Sequence, residues 1–246
     1  MNALWLDGVL ALGGFALAGG LLGLDRRAAF QAMLSQPIVS VSLLGHLLGQ
    51  PELGVALAVR LQLLWMASML FGASTPPNEN VASLVSAGAG LLGSAWLARE
   101  GQVAQPMLVV GLAMLLGAPF ALLGRQLDMR LDRSHLRLAE RADRAAAQGD
   151  LHGLSLVPVR GMVRVFVANA ALVGLGVVLT TPLVRALAGT LIGPTAVALE
   201  AFAVYAAPAL GVAVSFALVR RRRAFGLGVG AFVLCVWLLP PEAYLP

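Results

Sequence analysis

Polar side chains interrupt the apolar sequence at three places where they could act on a small solute. Arg60 and Gln62 lie in the run GVALAVRLQLLWMASMLFGA, which otherwise carries no charge. Residues 74–80 form the polar turn STPPNEN, and Glu200 lies in the segment PTAVALEAFAVYAAP. Charged and polar groups in such apolar surroundings face a cavity or a partner, because lipid cannot solvate them. All three places are therefore candidates for solute binding.

Each place also has a structural interpretation. A charge such as Arg60 costs about 2.5–3.5 kcal/mol at bilayer depth, so it either faces a polar cavity or extends to a nearby membrane surface. Pro77 stops a helix and Asn78 can cap a new one at Glu79, which leaves helix termini able to bind a solute. A plain exterior loop has the same sequence pattern. Glu200 either contacts the solute or pairs with an arginine of this chain or of a partner.

The composition indicates the solvent in which these groups lie. Of 246 residues, 59% are hydrophobic and only 12% are charged, and the mean hydropathy is +0.85. A soluble domain has about 25% charged residues. Twenty-eight glycines and 13 prolines suit close helix packing and helix breaks within a membrane. The sequence predicts an all-α, polytopic membrane helix bundle in a lipid bilayer.

Several other classes are excluded. The basic residues are all arginine, with a pI near 10.9, but no basic face with interleaved aromatics accompanies them, so we expect no nucleic acid as partner. The single cysteine, Cys235, excludes an internal disulfide framework and a cysteine-based metal site. Phosphate-loop, paired-histidine and nucleophile-elbow motifs are missing. We expect neither an enzyme nor a bound metal or cofactor.

The apolar segments define the organisation. Segments long enough, or nearly so, for a span occupy residues 3–24, 81–98, 105–123, 163–183, 195–219 and 224–239. Residues 36–48 and 53–71 lie between the first two segments, and residues 36–48 are too short to cross comfortably. Residues 184–192, between two prolines, form another short piece. Such pieces in both halves predict re-entrant or broken segments and an inverted repeat. We expect membrane halves at residues 1–124 and 161–246, joined by a cytosolic helical loop at residues 125–160.

The arginines predict the orientation. Two lie at Arg26 and Arg27, eight lie in residues 125–164 and four lie in residues 220–223, of 17 in the chain. The positive-inside rule places all three groups on the cytoplasmic side, which puts both termini outside. Within the loop, HLRLAERADRAAAQGDL has strong helix formers and ends near Gly149. That helix is either a solvated connector or a docking surface for cytosolic proteins.

Four stretches together resemble a known family. They are Leu24-Asp25, IVSVSLLGHLLG up to Gly49, PELGVALAVRLQLLWMASMLFGASTPPNENVAS from Pro51, and ADRAAAQGDL from Ala142. Their order and spacing are similar to the IIC subunit of mannose-type sugar phosphotransferase systems. The resemblance covers nearly the whole chain. Where that family has Glu, Asn and Asp, this chain has Gln62, Leu70 and Asn78.

The resemblance implies a multi-pass subunit of the bacterial inner membrane that translocates a hexose in a hetero-oligomer with a IID membrane subunit. Cytosolic IIA and IIB proteins would pass phosphate from phosphoenolpyruvate to the sugar. The amides at positions 62 and 78 keep hydrogen-bonding capacity without charge, which predicts weaker binding or altered specificity. The alternative is a divergent scaffold or regulatory subunit with little or no transport. The predicted substrate-binding residues are Gln62, Asn78, Glu79, Gln36, Arg60 and Pro77.

Overall fold

The computed structural model describes residues 2–29, 31–66, 75–102 and 105–219. Over these residues the chain is helical. The elements in order are α1 (Asn2–Arg27), α2 (Pro37–Leu47), α3 (Pro51–Trp65), α4 (Glu79–Arg99), α5 (Pro106–Gly117), α6 (Pro119–Ala147), α7 (Leu151–Ala188), α8 (Pro194–Ala201), a π-helical turn (Phe202–Ala206) and α9 (Ala207–Val219). The predicted all-α class is confirmed.

Five helical stretches within the described residues are long and apolar enough to cross a membrane. They are Gly8–Arg27, Glu79–Arg99, Pro106–Ala147, Leu151–Ala188 and Pro194–Ala213. Each coincides with a predicted span. The sixth predicted span, residues 224–239, lies outside the described residues, as do the arginines at 220–223, Leu70 and Cys235. The chain is a multi-pass membrane protein.

Helix α4 forms the centre of the bundle, because its small residues let neighbouring helices approach closely. A Cβ added at Gly88 would overlap Val177 of α7, and one added at Gly93 would lie 2.9 Å from Val184. Gly90 receives Leu57 of α3 in the same way. Packing of this kind stabilises helices in lipid, where no hydrophobic effect drives them together.

Helices α2 and α3 form a tight hairpin that is too short to cross the bilayer. The 11 residues of α2 span about 16 Å, roughly half of the hydrocarbon core. Gly49 adopts φ +71° at the turn, and a Cβ on Gly45 would lie 2.5 Å from the Cα of Gly54. Gln50 at the closed end donates to the carbonyl of Leu91, 2.9 Å away. This hairpin is the broken segment predicted between residues 36 and 71.

The charged segment between the membrane spans is a second helical hairpin. Helix α6 continues without interruption from its apolar start into the charged region, so the helix predicted within residues 135–151 is part of a 29-residue helix. Gly149 at φ +70° turns the chain. Asp150 then caps α7 by accepting a hydrogen bond from the amide of Gly153, 2.9 Å away.

One predicted break is wrong. Residues 184–192 do not form a separate piece, because α7 continues through Pro182 to Ala188. Thr180 donates to the carbonyl of Gly176 one turn earlier, 2.8 Å away, so a side chain supplies an additional hydrogen bond close to the proline. Membrane helices tolerate proline where neighbouring groups compensate for the missing amide. Later in the second half, a π-helical turn joins α8 and α9 without breaking the helical stretch.

The contact between Gly45 and Gly54 predicts a large effect of a single methyl group. Gly54→Ala would place Cβ 2.6 Å from the Cα of Gly45, where only backbone can move. We expect a loss of about 1–3 kcal/mol and a lower unfolding temperature in detergent. Gly14→Ala in α1 is the matched control, because nothing lies within 4 Å of its Cβ position. Equal unfolding temperatures for the two variants would contradict this packing.

Candidate functional site

An ion-pair cluster joins the ends of three helices on one side of the bundle. Arg26 at the end of α1 forms a bidentate ion pair with Glu79 at the start of α4. Its Nε and Nη2 atoms, on one edge of the guanidinium group, each lie 3.1 Å from a carboxylate oxygen. Its Nη1 donates to Oδ2 of Asp128 on α6, 2.9 Å away. A bidentate pair of this kind fixes the relative orientation of the two side chains as well as neutralising their charges.

Asp128 lies at the centre of this cluster and is 1% exposed. Arg27 Nη1 lies 3.0 Å from its Oδ1, and Arg27 Nη2 reaches Asp132 at 2.9 Å. The side-chain amide of Asn78 donates to Oδ2 of Asp128, 3.1 Å away. A buried carboxylate requires such partners, because desolvation alone would make its charged form costly.

The cluster determines the role of the predicted turn. The Oδ1 atom of Asn78 accepts a hydrogen bond from the amide of Val81, 3.1 Å away, so the predicted helix cap is confirmed. The side-chain nitrogen of Asn78 donates to Asp128, and Glu79 forms an ion pair with Arg26. Pro77, half-buried, precedes the cap. These residues therefore support α4 in the described conformation and have their hydrogen bonds within the protein.

Gln36 and Gln62 form a second polar group. The side-chain amide of Gln62 on α3 donates to Oε1 of Gln36, 3.2 Å away. Its Oε1 accepts from the backbone amide of Ile38, also at 3.2 Å, in the first turn of α2. Gln62 thus caps a neighbouring helix whose first amides have no partner within that helix. Gln36 is exposed and Gln62 half-buried.

Asp25 places these two polar groups at the same end of the bundle. Its carboxylate accepts hydrogen bonds from the backbone amides of Ala32, at 2.7 Å, and Ser35, at 2.9 Å. The chain after α1 is thereby folded back, so that Gln36 starts α2 beside the end of α1. Arg26 and Asn78 lie at this same end. Gln36, Gln62, Asn78 and Glu79 therefore lie at a similar height along the axis of the bundle. Among the described residues, however, no hydrogen bond joins either glutamine to Asn78 or Glu79.

Arg60 and Glu200 lie apart from both groups. Arg60 Nη1 donates to the carbonyl of Ala56 in its own helix, 3.0 Å away. Two residues along a helix correspond to about 200°, so Arg60 and Gln62 lie on opposite faces of α3. Glu200 accepts from the side-chain amide of Gln105, whose nitrogen lies 3.1 Å from Oε2 in the orientation that satisfies both groups. Its partner among the described residues is therefore an amide and not an arginine of this chain.

The sequence did not identify Arg26 and Asp128 as partners. Arg26 was interpreted only as an orientation signal, and Asp128 is one of many charges in the connecting segment. They are 102 positions apart. The sequence features that could have predicted this pairing are Asp128, an acidic residue near the start of the charged segment, and the arginine pair at the end of the first helix. Within the described residues, no cluster of three or more His, Cys, Asp or Glu side chains could hold a metal ion.

A different ion pair lies at the other end of α4. Arg185 of α7 donates through Nε to Glu100, 3.2 Å away, and its guanidinium group stacks on Trp96 at 4.5 Å from the ring centroid. A shallow cleft beside it is lined by Gln102, Pro182 and Thr190, among others. The two ends of α4 therefore carry separate ion pairs, one of which holds the two helices α4 and α7 together.

These features define a membrane helix bundle with a short helical hairpin, α2–α3, and a polar group at the open end of that hairpin. The family model for the sorbose-specific IIC component of phosphotransferase systems matches residues 9–241. The chain therefore belongs to this family, the IIC component of mannose-type phosphotransferase systems. As a IIC component it is a membrane transport subunit and not the part that phosphorylates the sugar.

Solved structures share the fold. One described as "Structure of membrane protein" has a TM-score of 0.62 at 20% identity and covers 98% of both chains. Another is a cryoEM structure of the mannose transporter ManYZ in complex with microcin E492, with a TM-score of 0.55 at 18% identity. It covers 94% of this chain and 88% of the matched one. No curated protein matches the chain.

The Asp128 cluster predicts a strong effect on stability. Asp128→Asn keeps the side-chain shape but leaves two arginines short of a buried negative partner, so we expect a loss of about 3–5 kcal/mol. The unfolding temperature in detergent should fall by roughly 10 °C. Asp132→Asn is the matched control, because its side chain is 50% exposed and such pairs contribute about 0–1 kcal/mol. Equal losses for both variants would show that burial does not decide the effect.

Proposed function

We propose that this chain is the sugar-translocating IIC subunit of a phosphoenolpyruvate-dependent, mannose-type phosphotransferase system in the bacterial inner membrane. The supporting observation is the Gln36–Gln62 amide pair at the open end of the α2–α3 hairpin. An amide offers both donors and acceptors, as a sugar hydroxyl does. The first backbone amides of α2 lie beside it and add donors to the same place.

The neutral side chains of this site suit a hexose. Gln62 caps α2 without a charge, so the pair Gln36–Gln62 can exchange its mutual hydrogen bond for hydroxyl groups at little cost. Charge-assisted hydrogen bonds are roughly twice as strong as neutral ones, so this site binds a sugar less tightly than one with a carboxylate. Weaker binding favours release, which a transporter needs as much as binding.

We propose the remaining predicted residues as supports of this site. Asn78, Glu79 and Pro77 hold the start of α4 through Asp128 and Arg26. Arg60, on the opposite face of α3, contacts either an anionic group or a partner subunit. A IID-type membrane subunit is the expected partner, because the structurally similar ManYZ is a transporter solved as a complex. Cytosolic IIA and IIB proteins would then phosphorylate the incoming sugar.

We propose that movement of the α2–α3 hairpin gives the site access to each side of the membrane in turn.

We propose two membrane halves, residues 1–124 and 161–246, with residues 125–160 facing the cytosol and the IIA and IIB proteins. We propose that the hairpin α2–α3 and the π-helical turn in α8–α9 are corresponding parts of an inverted repeat. Helix α1 packs along α7, where Gly23 receives Asn169, so the halves share an interface and are not separate lobes.

Sugar uptake tests this proposal. Gln62→Ala and Gln36→Ala should each lower phosphoenolpyruvate-dependent accumulation of sugar phosphate at least tenfold, in cells that supply the partner subunits and lack other mannose-type systems. Gln62→Glu keeps the acceptor for Ile38 and should retain uptake. Gln102→Ala, at an exposed position just beyond the other end of α4, is the matched control.

The same experiment separates the two functions. Full uptake in both alanine variants, with the complex assembled at normal yield, would place the sugar site elsewhere. If the unaltered chain assembles with its partners but accumulates no sugar phosphate for any hexose, it is instead a scaffold or regulatory subunit. Copurification of the partner subunit in each variant shows that assembly is intact.

A further inference from the structure

Three buried polar side chains on α4, Asn80, Ser83 and Ser86, have no hydrogen-bond partner among the described residues. Asn80 is 1% exposed and neither its Oδ1 nor its Nδ2 is bonded, and Ser83 is 0% exposed with an unbonded Oγ. A buried polar group without a partner loses its hydration and gains nothing in return. Natural proteins rarely keep such groups unless another molecule satisfies them.

Ser83 lies seven residues before Gly90, and therefore on nearly the same side of α4 as the contact of Gly90 with Leu57 of the hairpin. Asn80 lies one turn before Ser83. Positions 80, 83, 87 and 91 share one face of a helix of 3.6 residues per turn. Gln50 at the closed end of the hairpin binds the carbonyl of Leu91, and Leu57 of α3 packs against Gly90 beside it. The adjoining face of α4 meets α6 and α7, where Val81 packs against Gly124 and Val177 packs against Gly88.

The hydrogen bonds also place these side chains at the depth of the amide pair. Asp25 binds the backbone of Ser35, and the neighbouring Arg26 binds Glu79 at the first turn of α4. The first turn of α2 is therefore level with the first turn of α4. Gln62 is bonded to Gln36 at that level. From there to the closed end, α4 and each leg of the hairpin run for about 15–18 Å.

We infer that Asn80 and Ser83 form an inner hydroxyl-binding subsite of the sugar path, between α4 and the hairpin. This inference rests on the proposed function and extends it. The amide of Asn80 donates and accepts, and the hydroxyl of Ser83 does both, so together they match two neighbouring hydroxyls of a pyranose ring. Because both are buried, the sugar reaches them only when α2 and α3 move away from α4. Gln36 and Gln62 then form the outer part of the same site.

Cysteine protection tests the subsite in the complete complex with its membrane partner. Asn80→Cys, Gln62→Cys and Ser86→Cys are made in a Cys235→Ser chain and labelled in membrane vesicles with a small maleimide. D-mannose, D-fructose, D-glucose and L-sorbose are the probes, and L-mannose is the control. Ser86 is the matched position, since it is 0% exposed on the same helix but faces Gly117 at the α5–α6 junction.

The sugar that the system takes up should slow labelling at position 80 at least threefold and leave position 86 unchanged. Absence of labelling at position 80 during transport, or labelling that no sugar slows, would overturn the subsite. Protection at position 62 without protection at position 80 would overturn it while leaving the proposed function intact. Loss of uptake in the unaltered chain, by contrast, refutes the proposed function itself.

A second variant distinguishes binding from support. Asn80→Leu removes two unbonded polar atoms from a buried position, so the unfolding temperature should rise or stay unchanged. The KM for the transported sugar should increase about tenfold, the effect of losing one or two hydrogen bonds of ordinary strength. A lower unfolding temperature with an unchanged KM would show that Asn80 only supports the fold.

Discussion

The burial of Asp128 is the constraint on which the rest of this structure depends. A carboxylate that is 1% exposed must be held by charges and hydrogen-bond donors, and these come from the ends of two other helices. Arg26 and Arg27 close α1, and Asn78 starts α4. Helices α1, α4 and α6 are therefore held in one relative position, because removal of an arginine or of Asp128 would leave a buried charge short of its partner.

The position of the hairpin follows from that of α1. Asp25 lies next to Arg26 and binds two backbone amides of the chain that leads into α2. The amide pair is thereby placed beside the start of α4, at the end of the bundle where the ion pairs lie. Support and binding are thus divided between neighbouring groups. The charged residues hold the helices, and in the proposed function the neutral amides bind the solute.

Small residues allow the same bundle to combine close packing with a polar interior. Glycines on α4 and in the hairpin bring backbones together, so that short helices gain contacts that their length alone would not provide. Along the same central helix, Asn80 and Ser83 retain polar groups that the protein itself does not satisfy. Close packing next to polar side chains without hydrogen bonds is expected where a segment moves to admit a ligand. The packing stabilises the closed state, and the polar side chains gain hydrogen bonds only when the ligand is bound.

The sequence by itself determined the helical membrane class, five of the spans, the short pieces before α4 and the cap at Asn78, because each depends on local hydropathy or on a hydrogen bond within three residues. Family membership also followed from the order of its motifs. Only the tertiary structure decided that Pro182 continues a helix. It also decided that Asn78 bonds to Asp128, that Glu79 pairs with Arg26 and that Gln62 approaches Gln36. These three contacts join residues 26 to 53 positions apart, which local periodicity does not encode.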